Sequence, residues 1–356
     1  MLCAPKPLRS LIIALLLCQL CLIPVSRAAS YEVNQQDGNW CILCSLEAPA
    51  SFEGELYQYQ YTQQKANMPQ LREQLSTVYQ GNLQADTGYN PSFVFSDAPL
   101  NFSVPAFVSQ EAIPTPEEQE TITRLMQAMN SSDFHSADQP FLCASLETML
   151  SEFNENTIGL LFDWERYAQA MRNGNQTFAP APEDLLVVLV PEINGYPILP
   201  MLKGSYSDAD VPMYVKAVLQ QSKVGYLEIG CSYQIVKQRL IESKLIDWQT
   251  AIDTALNHGH SEFKSAFDAM ATLQDAHFDY PAFFAAYQPS FALEADGVRA
   301  CYYASSSVLR PAWQVNLTLS ISLQNDAELT PQERHAYLPE KLRICYIVDA
   351  MTGEIV

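Results

Sequence analysis

Polar and apolar positions alternate along this chain in blocks of different period. The longest regular block is Trp313, Val315, Leu317, Leu319, Ile321 and Leu323, set against Gln314, Asn316, Thr318, Ser320 and Ser322. That strict period of two predicts a strand with one apolar and one polar face. Leu227, Ile229, Cys231, Tyr233 and Ile235 alternate in the same way and predict a second half-buried strand. Leu185 to Val190 is a continuous apolar run. Asn194-Gly195 then reads as a turn into a returning strand, Tyr196 to Leu199. A last strand is predicted over Leu342 to Val348, closed by the turn Asp349-Ala350-Met351-Thr352-Gly353-Glu354, in which Gly353 supplies a positive φ.

Helical spacing appears elsewhere. Thr115-Pro116-Glu117-Glu118 has the form of a capping box with proline in the first turn, and Ile122, Leu125, Met126 and Met129 continue it as one apolar face. Asp247 predicts an N-cap for a helix presenting Trp248, Ala251, Ile252, Ala255 and Leu256 and stopping near Gly259. Further helices are expected over Pro69–Tyr79, Ala144–Phe153 and Leu160–Met171. Tyr89 to Pro114 reads as irregular, and Asp37-Gly38 as a turn. The prolines of Thr177 to Asp184 place a linker and the main boundary there. The fold class expected is α+β: a helical and irregular region over residues 29–176, then an α+β domain over 184–356 with a mainly antiparallel sheet and packed helices.

The first 28 residues have a different character: Lys6 and Arg9, an apolar run from Leu11 to Val25, then Ser26 and Ala28. This is the pattern of a secretory signal peptide, with cleavage expected after Ala28. Its apolar run is about 15 residues, shorter than the roughly 18 to 20 of a spanning helix, so membrane attachment would come only through an uncleaved signal segment. Leu17 before Cys18 and Leu20 before Cys21 do not suit a lipoprotein. The expected location is secreted or extracytoplasmic, in the cell envelope.

Charge narrows the partners. The chain has 20 basic and 40 acidic residues, and three of the bases (Lys6, Arg9, Arg27) fall in the leader, so the rest carries a net charge of −23. Such a surface repels nucleic acid and anionic lipid, and a nucleic-acid function is excluded on that ground.

Cysteine changes the picture again. Three of nine cysteines lie in the leader, leaving Cys41, Cys44, Cys143, Cys231, Cys301 and Cys345. In an oxidising compartment six cysteines are disulfide candidates, and counting alone leaves fifteen pairings open. Arg299, Cys301 and Tyr303 share one strand face, as do Arg343, Cys345 and Ile347; a cross-strand Cys301–Cys345 bond follows if the two strands are neighbours, and two buried thiols otherwise.

Candidate chemistry is sparse. Trp40-Cys41-Ile42-Leu43-Cys44 superficially resembles the Trp-Cys-x-x-Cys of thiol oxidoreductases, whose chemistry needs a strand before the pair and a helix after it. Glu47-Ala48-Pro49 interrupts any such helix, which favours a structural role for these cysteines. His258, His260 and Glu262 read as a polar helix end rather than a metal site, since two histidines two apart point in different directions on a helix. Ser261-x-x-Lys264 lacks the companion motifs of penicillin-recognising enzymes. The sequons at Asn101, Asn130, Asn175 and Asn316 matter only in a eukaryotic secretory pathway. No catalytic residue, metal or cofactor is expected.

From Leu185 onward the order of pieces resembles a family of secreted proteins and lipoproteins of Gram-positive bacteria, loosely similar to PepSY and Yyc-type regulatory domains. The matching residues are Glu192 to Ile198, Ala251 to Leu256, Leu309-Arg310-Pro311-Ala312-Trp313-Gln314-Val315 and Val348 to Ile355. The resemblance implies an α+β envelope protein that binds or restrains a partner protein at the cell surface. The function expected is therefore an exported, non-catalytic binding or regulatory protein; the alternative is an extracytoplasmic thiol-disulfide oxidoreductase using Cys41 and Cys44.

Overall fold

A computed structural model of the chain describes residues 30–64, 68–79, 84–85, 93–94, 113–130, 139–145, 184–199, 215–229, 232–274, 278–325, 329–330, 338 and 340–356. The leader, the helices expected near 146–171, the 177–183 linker and Cys231 lie outside these residues.

Fifteen strands are described: β1 (Ser30–Asp37), β2 (Trp40–Glu47), β3 (Tyr57–Gln64), β4 (Gln84–Ala85), β5 (Phe93–Val94), β6 (Gln139–Ser145), β7 (Leu185–Val190), β8 (Glu192–Ile193), β9 (Tyr196–Leu199), β10 (Val215–Gln220), β11 (Lys223–Ile229), β12 (Ser232–Leu240), β13 (Ser290–Ser305), β14 (Val308–Ser322) and β15 (Lys341–Asp349). The described helices are α1 (Met68–Leu75), α2 (Pro116–Asn130), α3 (Trp248–Met270) and α4 (Tyr280–Tyr287). The class is α+β.

The strands form two sheets. The main sheet runs β1-β2-β13-β14-β3-β12, with β15 on β14 and the β8–β9 hairpin joined to β13; the second runs β4-β5-β11-β10-β7-β6. Pairing is mostly antiparallel, with β2 and β9 parallel to β13. The centre is the long β13–β14 hairpin, in register from Ser290↔Ser322 to Ser305↔Val308 and broken by a bulge at Asp296.

Alternation along β14 builds two cores. Trp313, Val315, Leu317, Leu319 and Ile321 pack with Trp248, Ala251, Ile252, Ala255 and Leu256 of α3. The opposite face, with Cys301, Tyr303, Ala312, Cys345 and Ile347, shares a core with the second sheet and with Leu75, Ile122, Leu125 and Met129 of α1 and α2. Every residue of β7 is buried, which its continuous apolar sequence reflects.

The local signals at several ends are met. Thr115 N donates to Glu118 Oε2 at 2.7 Å and Glu118 N donates back to Thr115 Oγ1 at 3.3 Å, closing the capping box. Asp247 Oδ1 accepts from Thr250 N at 2.8 Å. Asn194 (φ 53°) and Gly195 (φ 81°) make the turn between β8 and β9, and Gly38 (φ 61°) begins the turn between β1 and β2.

Four expectations are corrected. The helix from Trp248 does not stop at Gly259 but continues to Met270. Gly259 is a close-packing position: a Cβ there would lie 3.0 Å from Leu317 Cδ1 and 3.2 Å from Tyr346 Cε2. The alternation from Leu227 to Ile235 belongs to two strands in different sheets, β11 and β12. Ala144 and Ser145 end strand β6 rather than begin a helix. Finally, residues 184–356 share both sheets with the earlier region: β2 pairs with β13, β3 with β12, and β6 with β7. The N-terminal region thus carries strands beside its helices: β1 pairs with β2 and β4 with β5 within it, while β3 and β6 pair only with later strands.

Candidate functional site

Trp40, Ile42 and Cys44 of β2 face the α3 core, so Cys41, of opposite parity, lies on the other face. Three strand steps separate the two cysteines by about 10 Å, beyond the roughly 7 Å that a disulfide spans. Both are free thiols, and no helix follows. Burial raises the Cys44 thiol above its ordinary pKa. The geometry of a thiol-exchange pair is therefore absent at this motif.

His258 and His260 diverge as their spacing on a helix demands. His258 sits edge-on to the Tyr346 ring and 3.5 Å from Glu262, whose carboxylate also accepts from Tyr346 Oη at 2.7 Å. His260 lies against Trp40, with its Nε2 3.5 Å from Asp37. Lys264 pairs with the same Asp37. These residues tie the β1–β2 turn and β15 to α3. No cluster of three or more potential ligands occurs among the described residues.

Among the described residues, one group of buried polar side chains lies on the face of β13, β14 and β15 that carries Cys301, Gln314 and Cys345. Arg299 Nε donates to Gln314 Oε1 at 2.7 Å, and Gln314 Nε2 donates to Cys345 Sγ at 3.1 Å. Cys301 donates to Ala312 O at 3.3 Å. Gln314 is only 1% exposed, although its place in an alternating strand predicts a solvent face. The second sheet covers that face, and hydrogen bonding satisfies the buried amide. Cys301 and Cys345 pair with Ala312 and Asn316 respectively, so β14 stands between their strands. Two strand spacings of about 4.8 Å and this offset keep the thiols from bonding. Both are free. Burial pushes the Cys301 thiol up to about 12 and raises that of Cys345 further. Desolvation lowers the pKa of Arg299 and of Arg343. A raised pKa leaves little thiolate at neutral pH, so neither thiol is an activated nucleophile. Cys143 lies on β6, opposite Val187.

A second polar knot sits at the end of β15. Asp349 Oδ2 accepts from Tyr303 Oη at 2.6 Å and lies 3.7 Å from Arg310, while Oδ1 accepts from Met351 N at 2.7 Å and Thr352 N at 3.0 Å. Gly353 (φ 77°) closes the turn by donating to Asp349 O at 2.8 Å. The carboxylate is consumed by its own turn and by β13, which is the structural role expected of this ending. Sequence reasoning did not link Tyr303 or Arg310 to Asp349. The available signal was a tyrosine and an arginine at facing positions of one hairpin, and nothing in their spacing points to a residue about forty positions on.

No family model and no curated protein matches the chain. Among solved structures, it is similar to an uncharacterised protein from Eubacterium rectale, with a TM-score of 0.43 and 10% sequence identity, covering 91% of this chain and 93% of that one.

Proposed function

We propose that this chain is an exported, non-catalytic binding or regulatory protein of the cell envelope, acting on a partner protein as the PepSY-like and Yyc-type resemblance of its C-terminal half implies. The leader pattern from Lys6 to Ala28 supports export. The observation that carries the rest is where the fold puts its reactive side chains: Cys41 and Cys44 on opposite faces of β2, the histidines packed on Tyr346 and Trp40, and Asp349 spent on its own turn.

Crosslinking in intact cells, followed by fractionation and mass spectrometry, tests the reading. It expects a processed chain outside the cytoplasm, joined to one envelope protein in stoichiometric yield. Recovery from the cytosol with Met1 intact overturns the export part. Repeated crosslinking of correctly exported protein with no stoichiometric partner overturns the binding part.

A further inference from the structure

The strand path of the main sheet ends in β1 on one side and β12 on the other, each paired on one side only among the described residues. β12 is exposed from Val236 to Leu240, with Val236 52% and Leu240 43% accessible. An open strand edge presents a row of unpaired amide and carbonyl groups that templates a further strand.

The two edges differ in charge. β12 (SYQIVKQRL) carries Lys237 and Arg239 and no acid, within a chain that has twice as many acids as bases; β1 (SYEVNQQD) carries Glu32 and Asp37 and no base. Asp37 is held by Lys264. Glu32, Lys237 and Arg239 form no ion pair among the described residues, and Glu32 is exposed.

Two copies can join these edges in three ways. β12 on β12 brings basic residues together, and β1 on β1 brings acids together; like charges directly opposite weaken a strand pair. Only β1 on β12 faces unlike charges, and it also gives Val236 and Leu240 apolar cover from a neighbouring strand.

We propose that β12 receives the β1 edge of a second copy of this chain, extending the main sheet head to tail, with Glu32 of one copy facing Lys237 and Arg239 of the next. The contact joins two different surfaces, so it closes a ring or propagates as a filament. This self-association goes beyond the proposed envelope role and is independent of it.

Sedimentation of the purified protein over a hundredfold range of concentration tests it. The wild type is expected to pass from monomer to species of at least twice its mass. The pair K237E and R239E, and E32K alone, are each expected to weaken association by about tenfold or more, and E32K combined with K237E and R239E to restore it. Circular dichroism checks the fold of each variant; if charge reversal unfolds the strand, K237Q with R239Q must still weaken association. A wild type that stays monomeric throughout, association that survives charge reversal at β12, or failure of the triple variant to recover it overturns the proposal.

Discussion

Leu317 Cδ1 lies 3.0 Å from the point that a β-carbon on Gly259 would occupy, with the ring edge of Tyr346 at 3.2 Å. α3 approaches β14 and β15 this closely because one turn of the helix has no side chain. Gly259→Val is therefore expected to destabilise the fold by about 1–3 kcal/mol through overpacking. Gly259→Ala should fall near neutral, because roughly 1 kcal/mol of helix propensity offsets the small displacement of two side-chain ends. Equilibrium urea unfolding measures both, and a stabilised valine variant would contradict the packing account.

Asp349 is expected to be the costliest carboxylate to remove at the C-terminus. Asp349→Ala strands Tyr303 Oη, Met351 N and Thr352 N, and a lost hydrogen bond to a charged acceptor is worth about 1.5–3 kcal/mol. Asp349→Asn keeps an oxygen for the two turn amides and should lose less. The ordering of the two unfolding midpoints is the measurement.

Alkaline pH should weaken the fold. Burial holds the Cys301 thiol at about 12 against an ordinary 9.0, and the hydrogen bond to Asp253 holds the Tyr31 hydroxyl at about 12 against 10.0. A group whose folded pKa is raised contributes its full stabilisation below the unfolded pKa and loses it as pH climbs toward the folded value. Stability should thus be level up to about pH 9 and fall between about pH 9 and 12. Cys301→Ala should flatten part of that fall. A midpoint that rises over this window would refute the assignment.

Thiol labelling separates the cysteines. Cys41 is partly exposed, while Cys44, Cys301 and Cys345 are buried. At neutral pH a maleimide should modify Cys41 in the folded protein and reach the other three only after denaturation. Peptide mapping should find no bond between Cys41 and Cys44, and the protein should not reduce insulin. A bond at that pair, or insulin reduction lost on Cys41→Ser, would revive the oxidoreductase alternative.

The elements easiest to see in the sequence were those whose signal is local. The Thr115–Glu118 box, the Asp247 cap, the Asn194-Gly195 turn and the alternation of β14 all lie within a few residues and stand in the structure as the spacing suggests. What sequence alone hid depends on distant partners. Gln314 looks like a surface residue until the second sheet covers it, and Gly259 looks like a helix end until Leu317 and Tyr346 are known to lie beneath it. Nothing local to Trp40–Glu47 indicated that β2 would lie alongside β13, some 250 positions away. The break between β11 and β12 hid for another reason, since both halves keep the same alternation while serving different sheets.

The parallel pairing of β2 with β13 governs the order in which this polypeptide can fold. Asn39 Nδ2 donates to Pro289 O at 2.8 Å across 250 positions of sequence. Contacts of such separation form slowly, because a long loop must close before any of them gives a return. A nascent chain emerging from the ribosome therefore holds its first hairpin without a seat until almost everything else has been synthesised. The β1–β2 hairpin can form early but docks late, so the main sheet is completed only once β13 has been made.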